Sequence, residues 1–216
     1  MKILIILSGR LKSFDIHHKN ILDCLVQDNQ VDFIASISNE PINDDLIDAF
    51  KELYNPIEII KSNGILFEPY QGWTNVKANK EMRLYKKNVA YMWKNRSLVN
   101  DYIKDDYDWI ISTRVDVRYK DKLDYNALIE DAVNIPHYGD YGGYQDKIAI
   151  AKPKLIKMYL DLYNNMKEYL IKKPINPEPL LKYHCDVQNI PVHRMHLKCR
   201  IYPKGSIKQK AENYID

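Results

Sequence analysis

The segment Tyr107-Asp108-Trp109-Ile110-Ile111-Ser112-Thr113-Arg114-Val115-Asp116-Val117-Arg118 constrains this chain more than any other. It opens with an apolar run bounded by polar residues, the pattern of a strand buried on both faces of a parallel sheet. Parallel neighbours are joined by crossovers, usually helices, so such a strand demands an α/β fold. The segment then delivers an Asp between two Arg residues where the strand should end. Ligands of open α/β sheets bind outside the carboxyl ends of the strands. A carboxylate held there between cations suits a metal-bound phosphate.

The rest of the chain repeats the pattern. Lys2 to Leu7 reads as a first strand, followed by a Ser-Gly-Arg turn and a helix from about Ser13 to Gln27, with Phe14, Ile21, Leu22 and Leu25 on one face. Val31 to Ser38 is a second strand. Asp44 to Tyr54 is a helix with Leu46, Ile47, Phe50 and Leu53 spaced for burial, and Ile57 to Lys61 is a third strand. Strands alternating with helices point to a parallel sheet. Ser62 to Asn75 reads as a loop, and a long helix is expected from Val76 to about Ile103, with Leu84, Val89, Met92 and Trp93 as its buried stripe. After the segment above come a polar connection through Asp131, a Gly- and Tyr-rich loop over His137 to Tyr144, and a short strand over Asp146 to Ala151. Pro153 fits the first turn of a helix running to about Ile171. Lys172 to Pro179 reads as a linker, Leu180 to Asn189 as a short helix, and Pro191 to Tyr202 as one or two closing strands. The expected organisation is one domain over residues 1–203 and a polar tail over 204–216.

Composition removes several classes. At 216 residues with 45% hydrophobic content, the chain has enough apolar surface for a core, which excludes disorder. A net charge of +3 is too small to imply nucleic acid. Three cysteines, Cys24, Cys185 and Cys199, make no disulfide framework and point to a reducing compartment. Ile3 to Leu7 is too short for a signal-peptide core or a membrane span, so a soluble, cytoplasmic protein is expected. GxGxxG, the P-loop, the serine elbow and HExxH are all missing, which lowers NAD, P-loop, serine hydrolase and zincin chemistry.

Five groups of residues could carry chemistry. Asp116 suits a metal ligand bridging to a diphosphate, with a plain ion pair to Arg114 or Arg118 as the alternative. Ser8-Gly9-Arg10 suits a phosphate, because a small-Gly turn lets a ligand approach the backbone, the next helix start offers N–H groups, and Arg adds a planar charge. An ordinary βα turn is the alternative. The stretch from His137 to Ile150 carries Asp140 and Asp146 as candidate bases among tyrosines that could stack on sugars, or is a hairpin loop capped by its Asp residues. His184, Cys185, His193, His196 and Cys199 lack zinc-site spacing, though one His could add a ligand to a catalytic metal. Arg83 and Lys87 are four apart and share a helix face, a basic stripe whose simplest reading is a solvated one.

The order strand-Ser-Gly-Arg, a Tyr/Lys-rich helix, Tyr-Asp-Trp-Ile-Ile-Ser-Thr-Arg-Val-Asp, then Asp-Lys-Ile-Ala-Ile-Ala resembles a group of viral and bacterial GT-A-type glycosyltransferases. The resemblance runs from Lys2 to Tyr202. It implies a single GT-A-like, Rossmann-like α/β domain with a mostly parallel central sheet flanked by helices. It also implies transfer of a hexosyl or deoxyhexosyl group from a nucleotide-diphosphate sugar, a UDP-sugar first, to a glycan or glycoprotein acceptor, assisted by Mn²⁺ or Mg²⁺. On that resemblance Asp116 is the retained carboxylate of a DXD-like motif, with His196 as a second metal ligand. Ser8, Gly9, Arg10, Arg83, Lys87 and Arg114 face the donor, and Asp146, with Asp140, stands near the acceptor. Arg114 departs from the family by replacing the first Asp, so it could supply charge in place of metal binding. Inverting or retaining stereochemistry is left open. The competing reading is a non-catalytic glycan-binding module, with nucleic-acid association a distant third. The chain is expected to act as a monomer or as one domain of a longer protein.

Overall fold

The computed structural model describes residues 1–11, 14–38, 44–62, 80–173 and 175–201, with the side chains of residues 80–87 outside that set. Its strands are β1 (Lys2–Gly9), β2 (Gln30–Ser38), β3 (Glu58–Ser62), β4 (Trp109–Arg114), β5 (Val117–Tyr119), β6 (Val133–Pro136), β7 (Ile148–Ala151), β8 (Val192–Met195) and β9 (Cys199–Ile201). Its α-helices are α1 (Phe14–Ile21), α2 (Asp44–Tyr54), α3 (Lys80–Ser97), α4 (Pro153–Leu160), α5 (Leu162–Lys172) and α6 (Pro177–Val187).

Seven strands form one sheet in the order β3-β2-β1-β4-β7-β6-β8, and β5 pairs with β9 in a separate ribbon. The pairings β3-β2, β2-β1, β1-β4 and β6-β8 are parallel. β7 is antiparallel to both β4 and β6, so it alone runs against the others. This is the mixed α/β, mostly parallel sheet that the apolar runs predict.

Strand alternation builds two cores. Ile3, Ile5 and Leu7 of β1, with Trp109 and Ile111 of β4, pack against Phe14, Ile21 and Leu25 and against Ile47, Phe50 and Tyr54 of α2. Leu4, Ile6 and Ile110 point the other way, against Val89, Ala90 and Trp93 of α3 and residues of α4, α5 and α6. Each large side chain buried this way contributes about 1.5–3 kcal/mol relative to exposure. The split follows from handedness. The chain steps outward from β1 to β3, then returns past β2 and β1 to form β4. A right-handed crossover therefore places α3 on the face opposite α1 and α2.

Several expectations are corrected. β6 lies between the connection through Asp131 and the loop from His137, where no element is expected, because Val133-Asn134-Ile135-Pro136 is short and carries a polar residue. Asn134 is nonetheless fully buried. Its amide donates to the carbonyls of Ile129, Ala132 and Ile150 and its oxygen accepts from the Ile129 N–H, which satisfies it inside the sheet. The single helix expected over Pro153 to Ile171 is two, α4 and α5, meeting at Asp161. The Asp161 side chain is bonded by Asn164 and Asn165 of the second helix. The first helix ends its regular turns at Ile21 and closes through a π turn over Leu22–Val26. In α2 the buried stripe is Ile47, Phe50 and Tyr54, at i, i+3 and i+7, which turns Leu46 outward. The start of the long helix, the loop after Ser62 and the tail over 204–216 lie outside the described residues. Among the described residues no helix is long and apolar enough to cross a membrane, and the three cysteines are unpaired.

Candidate functional site

β1 sits between β2 and β4, and the connections from these strands leave in opposite directions. Their carboxyl ends therefore flank a topological switch point, the place where open α/β sheets bind ligands. The register sets Ser8 beside Arg114. The Val115 N–H donates to the Ser8 carbonyl at 3.2 Å, and the Ser8 hydroxyl donates to the Thr113 carbonyl at 3.1 Å. The Ser8-Gly9-Arg10 and Thr113–Asp116 motifs are thus one surface. Gly9 has φ of +124°, a conformation that disfavours any side chain. Arg10 follows it, half-buried.

The β4–β5 turn is closed by an ion pair. Arg114 grips Asp116 with two bonds, Nε to Oδ1 at 2.8 Å and Nη2 to Oδ2 at 2.7 Å. Both side chains are less than a third exposed. Burial opposes the Arg114 charge, but the hydrogen bond and charge of Asp116 outweigh it and raise the Arg114 pKa. Beneath the turn, Thr113 Oγ1 donates to the Lys147 carbonyl at 3.1 Å, so the Tyr119 hydroxyl must be the donor in its 2.5 Å bond to Thr113.

β7 enters the sheet where β4 leaves it, pairing Ile148 with Thr113. That antiparallel step brings Asp146, just before β7, to the same edge, where it is 7% exposed and within electrostatic reach of Arg114. Asp140 has a different setting. Arg194 holds both its oxygens at 2.5 and 2.7 Å, and Oδ1 also accepts from the Gln145 N–H at 3.3 Å. The carboxylate is occupied as a clasp across the loop. That loop rests on α6: the Tyr144 N–H donates to the Glu178 carbonyl, and Gly143 lies flat on the Glu178–Pro179 peptide. Burial, together with the charges of Asp146 and Asp140, holds the Glu178 carboxyl above its ordinary range. At the loop tip Tyr141 is 79% exposed, with φ of 41°.

His196 is placed away from Asp116, past the other end of β5. Its Nδ1 meets the Tyr138 hydroxyl at 3.2 Å and its Nε2 lies 3.7 Å from Asp121. The described residues contain no group of three or more His, Cys, Asp or Glu able to hold a metal. α3 carries Arg83 and Lys87, but their side chains lie outside the described residues.

Two residues escape sequence reasoning. His17, fully buried on α1, lies within electrostatic reach of Asp116 and Arg118; burial lowers its pKa, against the pull of Asp116. Arg96 of α3 is 1% exposed, yet its Nη2 donates to the Asp146 carbonyl at 2.6 Å and its Nε to the Ser8 hydroxyl at 3.5 Å. In sequence it is one more cation in a Lys-rich helix, but spacing is a usable signal: Arg96 falls three, four and seven residues after Trp93, Met92 and Val89, on the buried stripe, and Lys94 does not.

A comparison with curated proteins finds no match. Residues 85–204 match the family described as a domain of unknown function, DUF7796, a span that includes Arg96, Arg114, Asp116, Asp140 and Asp146. That span is more than half of the sequence, and the chain belongs to this family.

Proposed function

We propose that the chain is a glycosyltransferase of GT-A type, moving a sugar from a nucleotide-diphosphate sugar, a UDP-sugar first, to a glycan acceptor. One observation carries this: two motifs 105 positions apart, Ser8-Gly9-Arg10 and Thr113–Asp116, meet at the switch point with Asp146 beside them. The Gly9 turn and Arg10 suit a diphosphate. Arg114 supplies fixed positive charge where the leaving diphosphate gains negative charge, the largest single contribution in reactions of this kind. In the inverting form, Asp146 takes the proton of the acceptor hydroxyl as its oxygen bonds the anomeric carbon and the bond from that carbon to the diphosphate breaks. Tyr141 offers an exposed ring for the acceptor sugar.

The donor set fits a shared metal rather than a caged one. Asp116 is the carboxylate on the β4–β5 turn, and a nucleotide-bound Mg²⁺ or Mn²⁺ needs only one or two carboxylates besides phosphates and water. When bound, the ion would add charge to the leaving group. Asp116 would hold it, with Arg114 turning from its partner carboxylate to the diphosphate.

Thermal stability with UDP, GDP and CMP, each with and without Mn²⁺, tests the reading. A nucleotide at ~100 times its Kd adds about 2.7 kcal/mol, a visible rise in Tm. A rise with one nucleotide, and loss of transfer in Asp116→Asn with the fold retained, are expected. No rise with any of the three would refute the donor site. The outcome would then favour a non-catalytic glycan-binding module, a reading supported by the exposed Tyr141 and the closed Arg114–Asp116 pair.

A further inference from the structure

Arg96 is the least expected residue in the molecule. Its guanidinium is buried, and among the described residues it is bonded to no carboxylate and its Nη1 has no hydrogen-bond acceptor. Burying such a charge is costly, and an unmade N–H bond adds to the cost. The Trp93 ring, 4.7 Å from Arg96 Cζ, offsets only part of this through a cation–π contact.

What Arg96 spans explains why the fold tolerates it. Ser8 ends β1 and Asp146 precedes β7, with β4 between them, a separation of roughly 10 Å at two strand spacings. One guanidinium reaches both ends, and Ser8 passes the link to the Thr113 carbonyl of β4. A planar fork of donors on a long stem is suited to this bridge. A tie between strands needs no net charge, however, and the guanidinium brings one to this edge as well as the span.

We propose that Arg96 is a positioning residue for transfer: it fixes Asp146 relative to the donor turn at Ser8 and supplies internal positive charge to that edge. This rests on the transferase reading of the site. Its role is exerted through Asp146 and Ser8 and requires no contact with substrate.

The test compares wild type, Arg96→Gln and Arg96→Lys in three measurements: urea midpoint, nucleotide-induced Tm rise, and kcat against acceptor KM for transfer. Arg96→Gln is expected to keep the urea midpoint, the Tm rise and KM, while kcat falls roughly 100-fold, the loss that a 1 Å misplacement produces. Arg96→Lys, which keeps the charge and loses the fork, is expected to recover part of kcat. If Arg96→Gln does not fold, Arg96→Lys carries the test, with kcat reduced at unchanged KM. A kcat within threefold of wild type, or a kcat that falls only in step with the urea midpoint and the Tm rise, would overturn the positioning role. The wild-type Tm rise is read first. Its absence overturns the transferase reading and this role with it, whereas its presence beside unaffected variants overturns this role alone.

Discussion

Gly143→Ala tests whether the loop bearing Asp140 and Asp146 is docked as described. A Cβ at Gly143 would lie 1.9 Å from the Glu178 carbonyl oxygen, 2.0 Å from its carbon and 2.4 Å from the Pro179 nitrogen. Ordinary contact begins at 3.4 Å, so loop and helix must part by about 1.5 Å, and both obstructing groups are backbone. That movement stretches the 3.1 Å bond from the Tyr144 N–H to Glu178 past any useful length and strains the 2.7 Å bond from the Gly143 N–H to Asp140. One lost hydrogen bond, one strained bond and local overpacking together amount to about 2–4 kcal/mol. In a chain of this size that lowers Tm by roughly 5–15 °C. Gly142→Ala is the control: its φ of +84° also disfavours a side chain, but nothing lies within 4 Å of the added carbon. It should cost only the left-handed strain, about 1–2 kcal/mol. Equilibrium urea denaturation of both variants reads the difference. If Gly143→Ala costs no more than Gly142→Ala, the contact with α6 does not hold the loop and the reasoning fails.

Three further outcomes follow from the geometry. Asp140→Ala should cost about 1–2 kcal/mol in urea denaturation by leaving the partly buried Arg194 without its carboxylate, and equal stability would show that the Arg194–Asp140 pair does not clasp the loop. His184 is fully buried and neutral: its Nε2–H donates to the Met158 carbonyl at 2.9 Å and its Nδ1 accepts from the Tyr169 hydroxyl. Burial lowers the pKa of His184 and of His17, so the unfolded chain binds more protons, and stability should fall as pH drops below the ordinary value of 6.5. Urea midpoints at pH 7.5 and 5.0 measure this, and a His184→Gln variant with an unchanged pH slope would show that His184 takes no part. Tyr141→Gly should leave stability within about 0.5 kcal/mol, because relief of the left-handed conformation offsets the entropy of glycine. The same variant should raise the acceptor KM, and an unchanged KM would free Tyr141 of any acceptor role.

The legible part of this molecule is the part encoded within single elements. The apolar runs at Ile3–Leu7 and Trp109–Ile111 identify central strands because both faces of those strands are buried. Pro153 marks a helix start because its missing N–H is not needed there. β6 was not legible, since Asn134 reads as loop until the carbonyls that satisfy it are in place. The break at Asp161 was not legible either, because the apolar spacing carries on across it.

The same division applies to the candidate site. By itself the sequence determined that Ser8-Gly9-Arg10 and Thr113–Asp116 each follow a buried strand and carry the residue types that bind phosphate. The tertiary structure decided that the two motifs touch, since strand order depends on where the chain crosses the sheet and leaves no mark in local periodicity. It also decided how each charge is used. Asp116 is gripped by Arg114, Asp140 is spent on Arg194, and Arg96 is buried beneath the edge as a cation joining Ser8 to Asp146. A side chain's partner is set by distance in three dimensions: helical spacing puts Arg96 on the buried face of α3, and only the fold brings Ser8 and the Asp146 carbonyl within its reach.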